Sequence, residues 1–208
     1  MGAAGQDSGC NSVKTEQQEE KTMEINIFNT NKKYDVIYAD PPWRYNDRKC
    51  NGACEHHYDT MTLEEIKKLP IKELCEKDCV LFLWTTYPML KEALEVMEAW
   101  GFKYKSIAFQ WIKLNRSGNG KFFGLGRWTR GNTEPCLAVK GKPSRKSNSV
   151  SQLIEYPLGK HSAKPPITRD KIKELMGEEC KCLELFARNN IEGWDCWGNE
   201  VGKMDEVI

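Results

Sequence analysis

The sequence has no apolar run near the roughly 20 residues that a membrane span requires, and its N-terminus lacks the basic-then-apolar pattern of a secretory signal. The expectation is a soluble, intracellular protein, cytoplasmic or nuclear. Its nine cysteines are odd in number and scattered in spacing, so a disulfide framework is not expected and the thiols are read as reduced. Histidine is scarce, with three in 208 residues. Two of them stand in "CNGACEHH", where Cys50, Cys54, His56 and His57 lack a second, well-separated ligand pair, so no metal site is expected. A glycine-rich nucleotide loop between a strand and a helix is also missing. The "FFGLG" at 122–126 lies in a basic loop and is discounted as a phosphate cradle.

Acidic residues are nearly missing from the middle of the chain, which the net charge of +1 conceals. Residues 1–100 carry 12 Lys/Arg against 18 Asp/Glu, residues 101–171 carry 15 against 3, and residues 172–208 carry 4 against 9. A segment that basic, interleaved with Trp111, Phe122, Phe123 and Trp128, has the character of a polyanion-binding surface. The competing reading is a solvated lysine face, which is normally of mixed sign.

A length of 208 residues with 39% hydrophobic content suits one sizeable core. Residues 1–22 are polar and poor in apolar side chains and are expected to form a disordered tail, leaving 23–208 as the folded domain. "DVIYA" and "CVLFLWT" read as buried strands, separated by "TLEEIKKL", a short helix with Thr62 and Glu65 placed as a capping box. "PMLKEALEVMEAWG" puts Leu90, Ala93, Leu94, Met97 and Trp100 on one helical stripe. "YKSIAFQWIK" and "EPCLAVKG" read as strands, "ITRDKIKELMG" as a helix stopped by glycine, and "KCLELFA" as a last buried strand. Residues 113–133 and 141–163 read as long polar loops. Continuous apolar strands alternating with helices predict an α/β fold with a mostly parallel sheet covered on both faces. Ligands in such folds sit beyond the carboxyl ends of the strands.

The stretch "YDVIYADPPWRY" places Asp40 directly after its strand, at that carboxyl edge. Pro41 and Pro42 fix φ and donate no hydrogen bond, so the chain leaves in a rigid extended path with carbonyls expected to stay free. Trp43 adds a flat apolar face. Two acceptors and a stacking plate suit a planar group bearing an NH2, the exocyclic amine edge of adenine or cytosine. The alternative is a proline turn with a capping aspartate and a core tryptophan.

"DPPW" resembles the (D/N/S)-P-P-(Y/F/W) motif of amino-methyltransferases, and the wider chain resembles the MT-A70 family of adenine-N6 methyltransferases. The segments that carry the likeness are "YDVIYADPPWRY", "HYDTMTLEEIKKLPI", "CVLFLWTT", "AWGFKYKSIAFQWIK", "NTEPCLAVKGKP", "HSAKPP" and "LELFARNNIEGWDCWGNE", which span about residues 34–201 in family order. The resemblance implies a Rossmann-like methyltransferase fold in which the catalytic motif precedes the cofactor strand, a circularly permuted order. It implies S-adenosylmethionine as cofactor, no metal, and catalysis by Asp40, Pro41, Pro42 and Trp43. Asp40 and the Pro41 carbonyl would accept the amine hydrogens and aim its lone pair at the methyl group, with Trp43 stacked on the base. It further assigns Lys164 to the methionine carboxylate, Glu184, Phe186, Arg188 and Asn190 to the cofactor pocket, and Asn199 and Glu200 to the ribose hydroxyls. Asp40 also borders that pocket. Tyr58, Trp111, Arg130 and Glu134 become candidates for the substrate side, Trp111 with a competing place in the core. His161 is a candidate structural partner of the cofactor loop. Asn189-Asn190 stands where the eukaryotic messenger-RNA enzymes carry His-Asn, and the family's acidic residue upstream of the catalytic strand has no sure counterpart in "MEINIFN".

The expected activity is methylation of adenine N6 in DNA, with nucleic acid as partner and a dimer with a second copy or a family paralogue left open. The alternatives are the same reaction on RNA, or a non-catalytic nucleic-acid-binding subunit.

Overall fold

The computed structural model describes residues 24–44, 61–126, 128–139, 145–159 and 163–198. Seven strands form one sheet: β1 (Tyr34–Ala39), β2 (Cys75–Trp84), β3 (Tyr104–Leu114), β4 (Thr133–Val139), β5 (Leu153–Pro157), β6 (Cys182–Leu185) and β7 (Asp195–Trp197). Their order across the sheet is β5-β3-β4-β2-β1-β6-β7. β4 runs antiparallel to both its neighbours and every other pair is parallel. The mostly parallel Rossmann-like sheet expected from the sequence is therefore present.

Alternation along each strand divides the core in two. Ile37 and Ala39 of β1, with Leu81, Leu83, Leu183 and Leu185, face one layer. That layer is covered by α1 (Leu63–Lys67), α2 (Leu90–Ala99) and the single turn Ile71–Leu74. Val36, Tyr38, Phe82 and Trp84 face the opposite layer, covered by α3 (Ile167–Met176) through Ile172 and Met176. α1 begins where the capping box placed it: the Thr62 hydroxyl accepts the Glu65 N–H and the Glu65 carboxylate accepts the Thr62 N–H. On α2 the deeply buried stripe is Ala93, Val96, Met97 and Trp100, while Leu90 and Leu94 are only partly covered. Gly101 then ends the helix with φ of 86°, a conformation that favours glycine.

Two strands depart from the sequence reading. β5 lies inside the stretch 141–163 expected to be loop; its apolar residues are interrupted by Glu155 and mostly exposed, and it persists by pairing with β3 at the sheet edge. β7, three residues long, completes the other edge. The expected tail, residues 1–22, lies outside the described residues.

β1 holds the topological switch point. The chain leaves it through α1 to β2 on one side, and returns through α3 to β6 on the other. Because six strands are parallel, their carboxyl ends share one edge with the first residues of β4. Such edges are where open α/β sheets bind ligands.

Candidate active site

Asp40 follows β1 at this edge, and Lys164, three residues before the start of α3, reaches it: Lys164 Nζ donates to Asp40 Oδ2 at 2.8 Å. The same ammonium lies 3.5 Å from Glu134 Oε2, an ion pair without hydrogen-bond geometry. Glu134, at the start of β4, also accepts from Lys113 near the end of β3. The result is a chain of alternating charge, Asp40, Lys164, Glu134 and Lys113, drawn from four parts of the sequence. Each ammonium also lies against an indole: Lys164 is 5.9 Å from the Trp84 ring centre and Lys113 is 5.2 Å from that of Trp111.

Burial and pairing compete at these groups. Burial alone would lower the Lys164 pKa, but the Asp40 and Glu134 carboxylates outweigh it and raise the value above the ordinary lysine range. Burial would raise the Glu134 pKa, and the Lys164 and Lys113 cations outweigh it and hold the carboxyl below its ordinary range. Both groups stay ionised through the neutral range. A buried lysine held charged beside a carboxylate can bind an anion on one side and orient an acceptor on the other.

The floor beneath Asp40 is aromatic. Trp84 ends β2 with no exposure; its indole N–H donates to the Tyr38 hydroxyl at 2.7 Å, and its carbonyl accepts the Trp43 indole N–H at 3.2 Å. Trp111 meets Trp84 edge-on at 6.5 Å and donates its own indole N–H to the Tyr156 carbonyl. Two expectations change here. Trp43 is only 6% exposed and belongs to the core layer of α1 and α2, so it braces the site and leaves little free stacking face. The Pro41 carbonyl is not free: it accepts the Trp43 N–H at 2.8 Å, because the chain closes a tight turn immediately after the prolines, and one acceptor lone pair remains. Pro42 is likewise engaged, its carbonyl accepting the Met61 N–H at 3.3 Å. Trp111 is 1% exposed and takes the core place that competed with its substrate role.

The remaining sequence candidates separate. Glu184, on β6 beside Tyr38 of β1, has both carboxylate oxygens bound by Arg169 of α3, at 2.6 and 2.7 Å, so it joins α3 to the sheet while each oxygen keeps a further acceptor lone pair. Phe186, just past β6, has a φ of 60°, uncommon for a bulky residue, and packs edge-on against Trp197. Such strain marks functional turns more often than ordinary ones. Gly198 makes room for this turn, since a Cβ there would lie 2.2 Å from the Ala187 carbonyl oxygen. Arg188 is partly buried in the same turn, while Asn190 and Arg130 are exposed. Tyr58, His161, Asn199 and Glu200 lie outside the described residues, as do Cys50, Cys54, His56 and His57. Among the described residues no cluster of three or more His, Cys, Asp or Glu could hold a metal.

Sequence reasoning passed over Lys113, Trp84 and Arg169. The signal for the first two was positional: each stands at the carboxyl end of an apolar strand, "FQWIK" and "LFLW", the edge where ligands gather. A separate cavity of about 470 Å³, lined by Lys33, Tyr34, Cys182 and Asp195, opens at the opposite edge of the sheet, away from Asp40.

The arrangement could hold a small group that bears both an anion and a cation. A carboxylate and an ammonium would find Lys164 and Asp40, already complementary at 2.8 Å, and the strained Phe186 turn sits at the end of the adjoining strand.

The sequence matches the MT-A70 family model over residues 34–200. It is 37% identical to the Type II methyltransferase M.MunI of Mycoplasma sp. over 82% of this chain and 78% of that protein. It is 29% identical to the human N(6)-adenine-specific methyltransferase METTL4, over 87% of this chain and 40% of that protein. It is 30% identical to the human N(6)-adenosine-methyltransferase catalytic subunit METTL3, over 81% and 28%.

Proposed function

Since the chain belongs to the MT-A70 family, we propose that it transfers the methyl group of S-adenosylmethionine to the N6 amine of adenine, with DNA as the polymer. The observation that carries this reading is Asp40 at the switch-point edge of the sheet, bound to Lys164 and followed by Pro41. Methyltransferases of this family use S-adenosylmethionine, which supplies a methyl already activated on a sulfonium.

The protein's part is positioning. Lys164 holds a carboxylate by charge and hydrogen bonding, and as it does so its grip on Asp40 is shared. Asp40 and the remaining lone pair of the Pro41 carbonyl accept the two hydrogens of the adenine amine, which keeps the nitrogen lone pair out of the ring and in line with the methyl group. Trp43 and Trp84 fix the backbone of this turn from below, so the acceptors need little reorganisation. The proton released on transfer leaves from the amine toward Asp40 and solvent. Arg188 and Asn190 border the cofactor side by their place after β6, and Asn199 and Glu200 are assigned the ribose hydroxyls.

DNA is preferred over RNA because identity is higher to the type II methyltransferase, at 37%, than to an N6-methyladenosine RNA methyltransferase of Pyricularia oryzae, at 28%. The test is methyl incorporation from labelled cofactor into randomised pools of DNA and of RNA, with N6-methyladenine identified by mass spectrometry. Labelling of DNA is expected; labelling confined to RNA overturns the substrate, and labelling of neither, with cofactor still bound, supports a non-catalytic subunit. Asp40→Ala should lower transfer by at least about 1,000-fold, the loss of a preorganised acceptor, while cofactor affinity measured by calorimetry falls far less.

A further inference from the structure

Between β3 and β4 the chain makes an excursion over residues 115–132 that rises from the active-site edge. Its base is tied to the sheet: Lys113 accepts the Phe122 N–H and donates to the Asn132 carbonyl, both at 2.8 Å. Its tip is cinched by reciprocal backbone hydrogen bonds between Gly124 and Gly131, at 3.0 and 3.2 Å. Glycine is required for that closeness, because a Cβ on Gly124 would lie 2.7 Å from the Gly131 carbonyl and one on Gly126 would lie 2.1 Å from that of Thr129. The excursion is thus closed at Gly124 and Gly131. It points its apolar side chains outward, with Trp128 98% exposed, Leu125 91% and Phe123 67%.

Three large apolar side chains held in water on one excursion mark a contact surface. Its setting favours an anionic occupant: Lys121, Arg116 and Arg130 are exposed on the same excursion, and among the 18 residues 115–132 there is no Asp or Glu. It is also close to the chemistry. Gly131 is three residues from Glu134, at most about 11 Å of extended chain, and Glu134 is linked through Lys164 to Asp40. An adenine amine inside a duplex cannot reach a carboxylate at the edge of a sheet, so the base must leave the stack, and a gap then opens where it was.

Resting on the reading of the site as an adenine methyltransferase of DNA, we infer that Trp128, supported by Leu125, is a wedge that enters the base stack and holds the target adenine extruded toward Asp40, while Arg116, Lys121 and Arg130 grip the flanking phosphates. Apolar side chains inserted between base steps are an established way to unstack a duplex, and phosphate contacts fix the register.

The experiment compares methylation of a randomised DNA pool as duplex and as single strands by wild type, Trp128→Ala and Trp128→Phe. The wedge predicts that Trp128→Ala lowers the duplex-to-single-strand rate ratio about tenfold, the order of a lost base–aromatic stack, and that Trp128→Phe recovers most of it. An equal loss on both pools, or no loss, overturns the inference. So does a change in the oligomeric state of the free protein on Trp128→Ala, measured by sedimentation, since the tip would then be a contact between copies. Wild-type protein that methylates neither DNA pool refutes the functional reading itself, and is thereby distinguished from failure of the wedge.

Discussion

Glu134 is the residue on which the buried charge chain depends, since it faces Lys113 and Lys164 together. Its carboxyl is held below the ordinary value of 4.5 by those two cations, against the opposing effect of burial. A depressed carboxyl contributes stability that is complete above its unfolded value and is lost as pH falls through the folded one. Thermal stability should therefore fall partly through this group as the pH drops below the ordinary glutamate value of 4.5, and Glu134→Gln should flatten that part of the curve. At neutral pH the same substitution should cost on the order of 1 to 3 kcal/mol, because Lys113 keeps a partly buried charge without its partner. A melting profile unchanged in shape would show that the chain of charges contributes nothing there. The place of Asp40 at the carboxyl edge of the sheet was legible because it directly follows an apolar run of strand length. Lys113 was not, because a lone lysine at a strand end looks like any solvated one until Glu134 is folded against it.

At the scale of elements, α3 is fastened to the sheet by one polar clasp as well as by Ile172 and Met176. Arg169 binds both oxygens of Glu184 and lies 5.8 Å from the Tyr38 ring centre, so the helix is locked to β6 and to β1, the strand that Asp40 follows. Arg169→Met should lower unfolding free energy by about 3 kcal/mol in denaturant titrations, because Glu184 keeps its burial and loses its partner. The double variant with Glu184→Met should recover much of that loss, since an apolar pair of similar volume needs no compensation. Failure to recover would show that the pair contributes beyond mutual neutralisation. The helices and the apolar strands were readable from periodicity and caps, as Thr62 and Glu65 demonstrate. β5 was not, because Leu153–Pro157 alternates Ile154 against exposed partners and becomes a strand only through β3.

For the whole molecule, charge is sorted by position along the chain, with 15 basic against 3 acidic residues over 101–171. That stretch supplies β3, β4, β5 and the excursion between the first two, all on one side of β1 in the sheet. A duplex bound there displaces counterions, so affinity should fall steeply with salt. A log–log slope of about −4 to −5 is expected if some five phosphates are neutralised. Binding measured by fluorescence anisotropy across a salt series checks this, and a slope near zero would remove the basic segment from recognition.

The sequence by itself determined the class of fold, the family resemblance and the placing of Asp40 at the end of a strand, because apolar runs, caps and a short motif are local and survive without tertiary contacts. Only the folded chain decided which side chains meet. It joined Asp40 to Lys164, 124 positions away, and turned Trp43 from an expected stacking plate into a brace. It gave Glu184 to Arg169 and lifted Trp128 into solvent. The physical reason is that pairing and burial are set by strand order, and in this sheet the order β4-β2-β1-β6 brings together residues whose spacing in sequence carries no trace of it.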